Sequence, residues 1–319
     1  MTRVAAIDCG TNTIRLLVAD ADGGTLHEVT REAVITRLGQ GVDRSGELAP
    51  EALERTLAQT RRYAARCDEL GVAAVRFVAT SATRDARNRD AFAAGVRDAL
   101  GVAPEVVSGQ EEAALSFRGA VGVVGARHPG PFLVVDLGGG STELVLGDAA
   151  PRAALSMDVG SVRLTERHLH SDPPAPDEVA AAHADVAAAL DAATAAVPLA
   201  ETVTLVGLAG TITTITAHAL GLARYDRVRV DGAELPVDDV LAACDDLLHR
   251  TRADRAALGF MQPGRVDVIG AGALVWHDVV ARVRDAVAAD GRRLGTVLTS
   301  EHDILDGIAW SVVDRIAAG

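Results

Sequence analysis

Val134-Val135-Asp136-Leu137-Gly138-Gly139-Gly140-Ser141-Thr142-Glu143, followed by Leu144-Val145-Leu146, reads as strand, aspartate, small-residue turn and strand. An earlier stretch has the same form: Ala6-Ile7-Asp8-Cys9-Gly10-Thr11-Asn12-Thr13, then the apolar run Ile14 to Val18. The two aspartates lie 136 − 8 = 128 residues apart. An Asp at the end of a β-strand, beside a turn rich in backbone N–H and hydroxyl groups, suits a hydrated Mg²⁺ and a phosphate oxygen. Two such turns suggest two half-sites facing each other across a cleft, and chemistry on phosphates.

The flanking pattern repeats as well. Strands are expected at 3–8, 14–20 and 25–31, then a helix from Pro50 to about Leu70, a strand at 74–79, a helix over 85–100, a strand at 105–107 and a helix over 109–121. Pro50 suits a first helical turn and Gly71 a helix stop. The second turn opens the same series, with strands at 132–137, 142–147 and 152–157. Helices follow at 162–168 and 177–197, then a strand at 203–208 and a helix at 211–220. Helices near 237–250, 265–284 and 302–317, with a strand at 295–299, complete the chain. Strands alternating with helices give an α/β class. The repeated start suggests two related α/β domains, and Gly122 to Pro131 looks like the crossing between them.

At 319 residues the chain has room for about two domains. Its net charge of −13 argues against nucleic acid or an acidic membrane as partner. An anionic substrate would then need local Arg groups and a divalent cation. All 31 basic residues are Arg, which excludes a Walker-type phosphate loop with its Lys and leaves planar bidentate Arg contacts. Cys9, Cys67 and Cys244 lack metal-ligand spacing, and their odd number suggests reduced thiols and a cytoplasmic setting. The N-terminus reads as entering a strand directly, with no signal peptide. Charges break every apolar run short of the ~18 residues of a membrane span.

Several residues suit phosphate chemistry. Asp8, Thr11 and Asn12 line the first turn, although an ordinary hairpin turn also favours Asp and Asn. Gly138, Gly139 and Gly140 cost stability between two strands, which makes sense where backbone approaches a ligand closely. Ser141 adds a hydroxyl, and Glu143 returns a carboxylate seven residues after Asp136. Ser108 and Glu111 have capping-box spacing, with Glu111 expected to bend back to the Ser108 N–H. That leaves Glu112 as a candidate general base, or as a plain favourable charge at a helix start. Ser81 and Arg84 follow a strand end, where α/β proteins place ligands, but a solvated helix face explains Arg84 equally well. Gly210 and Thr211 start a helix whose free N–H groups suit an anion, or they form a plain αβ junction.

Taken together, AIDCGTNTIRLLV, ATSATRDARN, SGQEEA, VVDLGGGSTELV, DVGSVRLTE, GLAGTITT and VDVIGAGALV resemble the exopolyphosphatase / guanosine pentaphosphate phosphatase (Ppx/GppA) family. The resemblance implies two ribonuclease H-like domains of the actin-like ATPase superfamily with a cleft between them. Residues 1–125 would form the first, 126–300 the second, and 301–319 a helix packing back on the first. It implies hydrolysis of the terminal phosphate of a polyphosphate chain, with Mg²⁺ (or Mn²⁺) as cofactor. It implies Glu112 as base, Asp136 and Glu143 as metal and water-orienting carboxylates, and Arg84 as a phosphate ligand. Gly138, Gly139, Gly140 and Ser141 match its second turn; Asp8, a third metal-ligand candidate, with Thr11 and Asn12, matches its first. Longer members carry an HD-type helical domain beyond the point where this sequence ends, so short chains are the expected substrate. Guanosine pentaphosphate is the alternative substrate; a superfamily kinase and a non-catalytic polyphosphate or alarmone sensor are weaker readings. A homodimer is expected because symmetric dimers are the commonest oligomers.

Overall fold

The computed structural model describes residues 2–22 and 24–318. The elements run β1 (Thr2–Cys9), β2 (Thr13–Asp22), β3 (Thr25–Ile35), α1 (Val42–Ser45), α2 (Pro50–Glu69), β4 (Ala74–Ala79), α3 (Ser81–Asp85), α4 (Arg89–Leu100), β5 (Glu105–Val106) and α5 (Gly109–Val124). They continue with β6 (Phe132–Leu137), β7 (Thr142–Gly147), β8 (Pro151–Met157), α6 (Ser161–His168), α7 (Pro176–Ala196), β9 (Thr204–Leu208), α8 (Ala209–Ala219) and α9 (Arg227–Val230). The last are β10 (Glu234–Pro236), α10 (Val237–His249), α11 (Arg252–Ala256), α12 (Ile269–Ala289), β11 (Thr296–Thr299) and α13 (Ile304–Ala318). The chain divides into two compact units, Met1–Gly119 with Ile304–Gly319, and Ala120–Asp303. The first boundary falls inside α5.

The first unit holds a five-stranded sheet in the order β3-β2-β1-β4-β5. β1 runs parallel to β4 and antiparallel to β2, with Asp8 opposite Arg15. β1 is central, so both of its faces are buried and it reads as a continuous apolar run. Alternation sorts its residues. Ala5, Ile7 and Cys9 meet Tyr63, Leu57 and Phe92 of α2 and α4. Val4 and Ala6 meet Leu115 of α5 and Ile304, Leu305 and Ile308 of α13. Asp8 continues the second series, so its carboxylate leaves the sheet on the α5 face.

The second unit holds a six-stranded sheet, β10-β11-β9-β6-β7-β8. Apart from the edge strand β10 it repeats the first order: β8-β7-β6-β9-β11 corresponds to β3-β2-β1-β4-β5. Its main core joins Leu133, Val135 and Leu137 of β6 to α6, α7, α10 and α12. The Ala-rich α7 contributes Ala182, Val186, Leu190 and Ala193, spaced four, four and three residues apart, which is one helical face.

The strands expected at 74–79, 132–137 and 142–147 have those boundaries in the structure. The helix expected over 85–100 is two, α3 and α4, separated by an extended Ala86. Asn88, which precedes α4, exchanges hydrogen bonds with the Leu48 backbone instead of continuing the helix.

Candidate active site

In the second unit, β6 and β7 are joined by Gly138 to Ser141, closed by a bond from Gly138 N to Ser141 O at 3.0 Å. The turn's carbonyls are taken up by the start of α6. Ser161 N donates to Gly138 O, Val162 N and Arg163 N donate to Gly139 O, and Arg163 Nε donates to Gly140 O at 2.7 Å. None of these bonds uses the N–H of Gly139, Gly140 or Ser141. With its carbonyls bound and these three N–H groups left out of those bonds, the turn can serve as an anion cradle. Gly160 is what permits this: a Cβ there would lie 2.6 Å from the Gly139 carbonyl carbon and 2.8 Å from that of Gly140.

Asp136 and Glu143 are register partners across the hairpin. Directly opposed Cβ atoms in such a pair lie about 4.5–5.5 Å apart. Both are buried, at 7% and 1% exposure. Glu143 in turn stands opposite Ser156 of β8, whose Oγ donates to Glu143 Oε1 at 2.7 Å. Two adjacent buried carboxylates repel unless a cation or a proton joins them. Asp136 also pairs in register with Leu208, the last residue of β9, so Gly210 and Thr211 open α8 along the same sheet edge. Ala209 holds a left-handed φ of 68° there. Arg265, which the sequence reading missed, donates to Thr214 Oγ1 in the first turns of α8 at 2.7 Å.

The first unit presents the matching turn. Asn12 O accepts from Thr36 N and Arg37 N, and Thr11 O accepts from Gly39 N at 2.8 Å. Again the carbonyls are tied back, here to residues 36–39, where Arg37 takes a left-handed φ of 53°. Thr11 Oγ1 and Asn12 Oδ1 are buried without a hydrogen-bond partner, which suits groups that face a ligand. Asp8 differs from Asp136 in its cross-strand partner: Arg15 Nε and Nη2 reach Asp8 Oδ2 at 2.9 and 2.7 Å.

Ser81 starts α3 directly after β4 and is 2% exposed. Arg84, three residues on, donates through Nη1 to Glu112 Oε2 at 3.1 Å and to Val107 O at 3.0 Å. This brings two of the sequence candidates together. Glu112 is 7% exposed in the first turn of α5. The capping box forms only in part. Ser108 Oγ accepts from Glu111 N at 3.2 Å, but the Glu111 carboxylate turns to Arg76 at 2.6 Å. A buried guanidinium offers a charge-assisted bond, which outcompetes a single backbone N–H.

Among the described residues the carboxylates more than nine-tenths buried are Asp8, Glu112, Asp136, Glu143, Asp303 and Asp306. Four of the six are those singled out from sequence; Asp303 and Asp306 had carried no motif signal. Among the described residues no three His, Cys, Asp or Glu side chains gather into a metal-binding group. Asp136 and Glu143 nevertheless fit Mg²⁺, which is commonly held by one or two carboxylates with water and substrate phosphates completing its shell.

The strand order, repeated in both units, and the paired turns define a two-domain α/β protein with a duplicated mixed-sheet fold. The chain matches the Ppx/GppA phosphatase family over residues 17–287, and it belongs to that family of phosphatases. It is 50% identical over 321 residues to Exopolyphosphatase 2 of Mycobacterium tuberculosis strain H37Rv, covering 98% of this chain and 99% of that one. A crystal structure of an exopolyphosphatase-like protein is 47% identical, with a TM-score of 0.95 over 99% of this chain and 100% of the other. An exopolyphosphatase from Cytophaga hutchinsonii is 25% identical at a TM-score of 0.85, covering 98% of each chain. A family member from Aquifex aeolicus is 28% identical at 0.78, covering 99% and 98%. Among the described residues no helix is long and apolar enough to cross a membrane.

Proposed function

We propose that this phosphatase is an exopolyphosphatase that removes the terminal phosphate of short inorganic polyphosphate chains. The observation that carries the reading is the Asp136–Glu143 pair beside a turn whose carbonyls are bound inward. The Mycobacterium tuberculosis relative named as an exopolyphosphatase supports the substrate class. Bound at Asp136 and Glu143, Mg²⁺ would neutralise charge on the phosphate oxygens. The N–H groups of Gly139, Gly140 and Ser141 bind phosphate oxygens, as do Arg84 and the hydroxyl and amide groups of Thr11 and Asn12. Ser81, Gly210 and Thr211 line further phosphate positions. Glu112 takes a proton from the attacking water as the anhydride bond breaks, and Arg84, bonded to that carboxylate, keeps it aimed. Positioning and charge stabilisation carry most of the acceleration in such phosphoryl transfers. A net charge of −13 disfavours long polyanionic substrates relative to short ones.

Substituting Glu112→Gln tests the base directly. Turnover measured by phosphate release should fall about 10²–10⁴ fold while substrate affinity is kept. Turnover within about threefold of the parent enzyme removes Glu112 from this role.

A further inference from the structure

The C-terminal helix α13 meets α5 at Gly307. A Cβ at that position would overlap the Leu115 carbonyl oxygen and lie 2.7 Å from the Leu115 carbonyl carbon. These are backbone atoms, so no rotamer change relieves the overlap. Leu115 stands less than one turn after Glu112 on the same helix. A second tie grips the first turn itself. Arg76, 4% exposed, donates through Nη2 to Glu111 Oε1 at 2.6 Å and through Nη1 to Ser311 Oγ of α13 at 2.8 Å. The same guanidinium reaches Glu105 Oε2 through Nε at 3.0 Å and Nη2 at 2.7 Å. Arg118 of α5 pairs with Asp314 of α13, with Nη2 to Oδ1 at 3.2 Å.

Apolar packing alone already docks α13, through Ile304, Leu305, Ile308 and Val312. A buried guanidinium adds a desolvation cost that an apolar side chain would avoid, so stability is a weak reason for its presence. Its geometry has a better one. Gly307 fixes how closely α13 approaches α5, and Arg76 holds the carboxylate of the residue immediately before Glu112. The geometry points to Arg76 as a positioning residue that, with Gly307, holds the first turn of α5 so that Glu112 meets its water. This rests on the reading of Glu112 as the base.

The test is steady-state kinetics on Arg76→Ala and Arg76→Lys, with Arg76→Ala repeated in a Glu112→Gln background. Arg76→Ala should lower kcat about tenfold with KM within about threefold, and Arg76→Lys should recover part of the loss. In the Glu112→Gln background the same change should cost less than about twofold, because residues acting through one group are not additive. An equal loss in both backgrounds, or no loss in either, overturns the proposal. Amide exchange across residues 109–116 gives a reading independent of turnover. Exchange should be about tenfold faster in Arg76→Ala, and unchanged protection overturns the brace. Should Glu112→Gln prove nearly as active as the parent, the base reading falls alone and the exchange result judges the brace. Gly307→Ala is carried through the same measurements in case Arg76→Ala does not fold.

Discussion

At Asp8 and Asp136 the same hairpin position meets opposite partners. Seven residues on, Arg15 faces Asp8 and Glu143 faces Asp136. A guanidinium neutralises its carboxylate, whereas two adjacent carboxylates favour a cation or a shared proton between them. The Asp136 turn is therefore the stronger metal candidate, and that asymmetry was legible in the sequence because a short hairpin fixes cross-strand register. Gly160 was not legible, since its requirement comes from backbone that lies 20 residues earlier in the chain. Its substitution gives a residue-scale prediction. Gly160→Ala forces a methyl between the carbonyl carbons of Gly139 and Gly140, and should cost about 1–3 kcal/mol in a urea titration, as overpacking does. Turnover should drop by about tenfold or more, because a small displacement of a positioning group is costly. Parent-like stability and turnover together would mean that the turn does not depend on this close approach.

Among elements, α13 is the one whose place in the fold came from the family resemblance rather than from a local pattern. Its apolar run is visible, but its docking onto β1 joins residues about 300 positions apart. The longer strands were legible because they are rich in Val, Ile and Leu and lie near turn residues, whereas the short β10 (Glu234–Pro236) was not expected. The α3–α4 break was not, because the Asn88–Leu48 exchange that accompanies it is non-local. The ion pairs around α13 carry a pH signature. Glu105 accepts from Arg315 Nη1 at 2.6 Å and from Arg76, and these partners lower its pKa from 4.5 to about 2. A carboxylate whose pKa is lowered by folding contributes stability above its unfolded pKa. That contribution is lost as pH falls through the folded value. The window is thus 4.5 down to about 2. With Glu105 39% exposed, solvent screening limits the contribution to about 1 kcal/mol. Urea titrations of the parent and of Glu105→Gln should converge as pH drops across this window. A gap that stays constant there would remove Glu105 as the titrating group.

At the scale of the molecule, one topology occurs twice, and the two copies carry different chemistry. Asp8, Arg84 and Glu112 lie in the first unit, and Asp136, Glu143 and the glycine turn lie in the second. The duplication was legible from two motifs 128 residues apart, because each begins a unit and each marks a strand end. The return of α13 to the first unit follows from packing that no local pattern encodes. An acidic phosphatase acting on an anion must concentrate positive charge locally, so turnover should depend on a divalent cation. The most direct measurement is phosphate release from short polyphosphate, guanosine pentaphosphate and ATP, each with Mg²⁺ and with the metal chelated. The account predicts fastest release from short polyphosphate and its loss on chelation. It also predicts a fall of about 10²–10⁴ fold in Glu112→Gln. Release that survives chelation unchanged, or no release from polyphosphate at all, would contradict it.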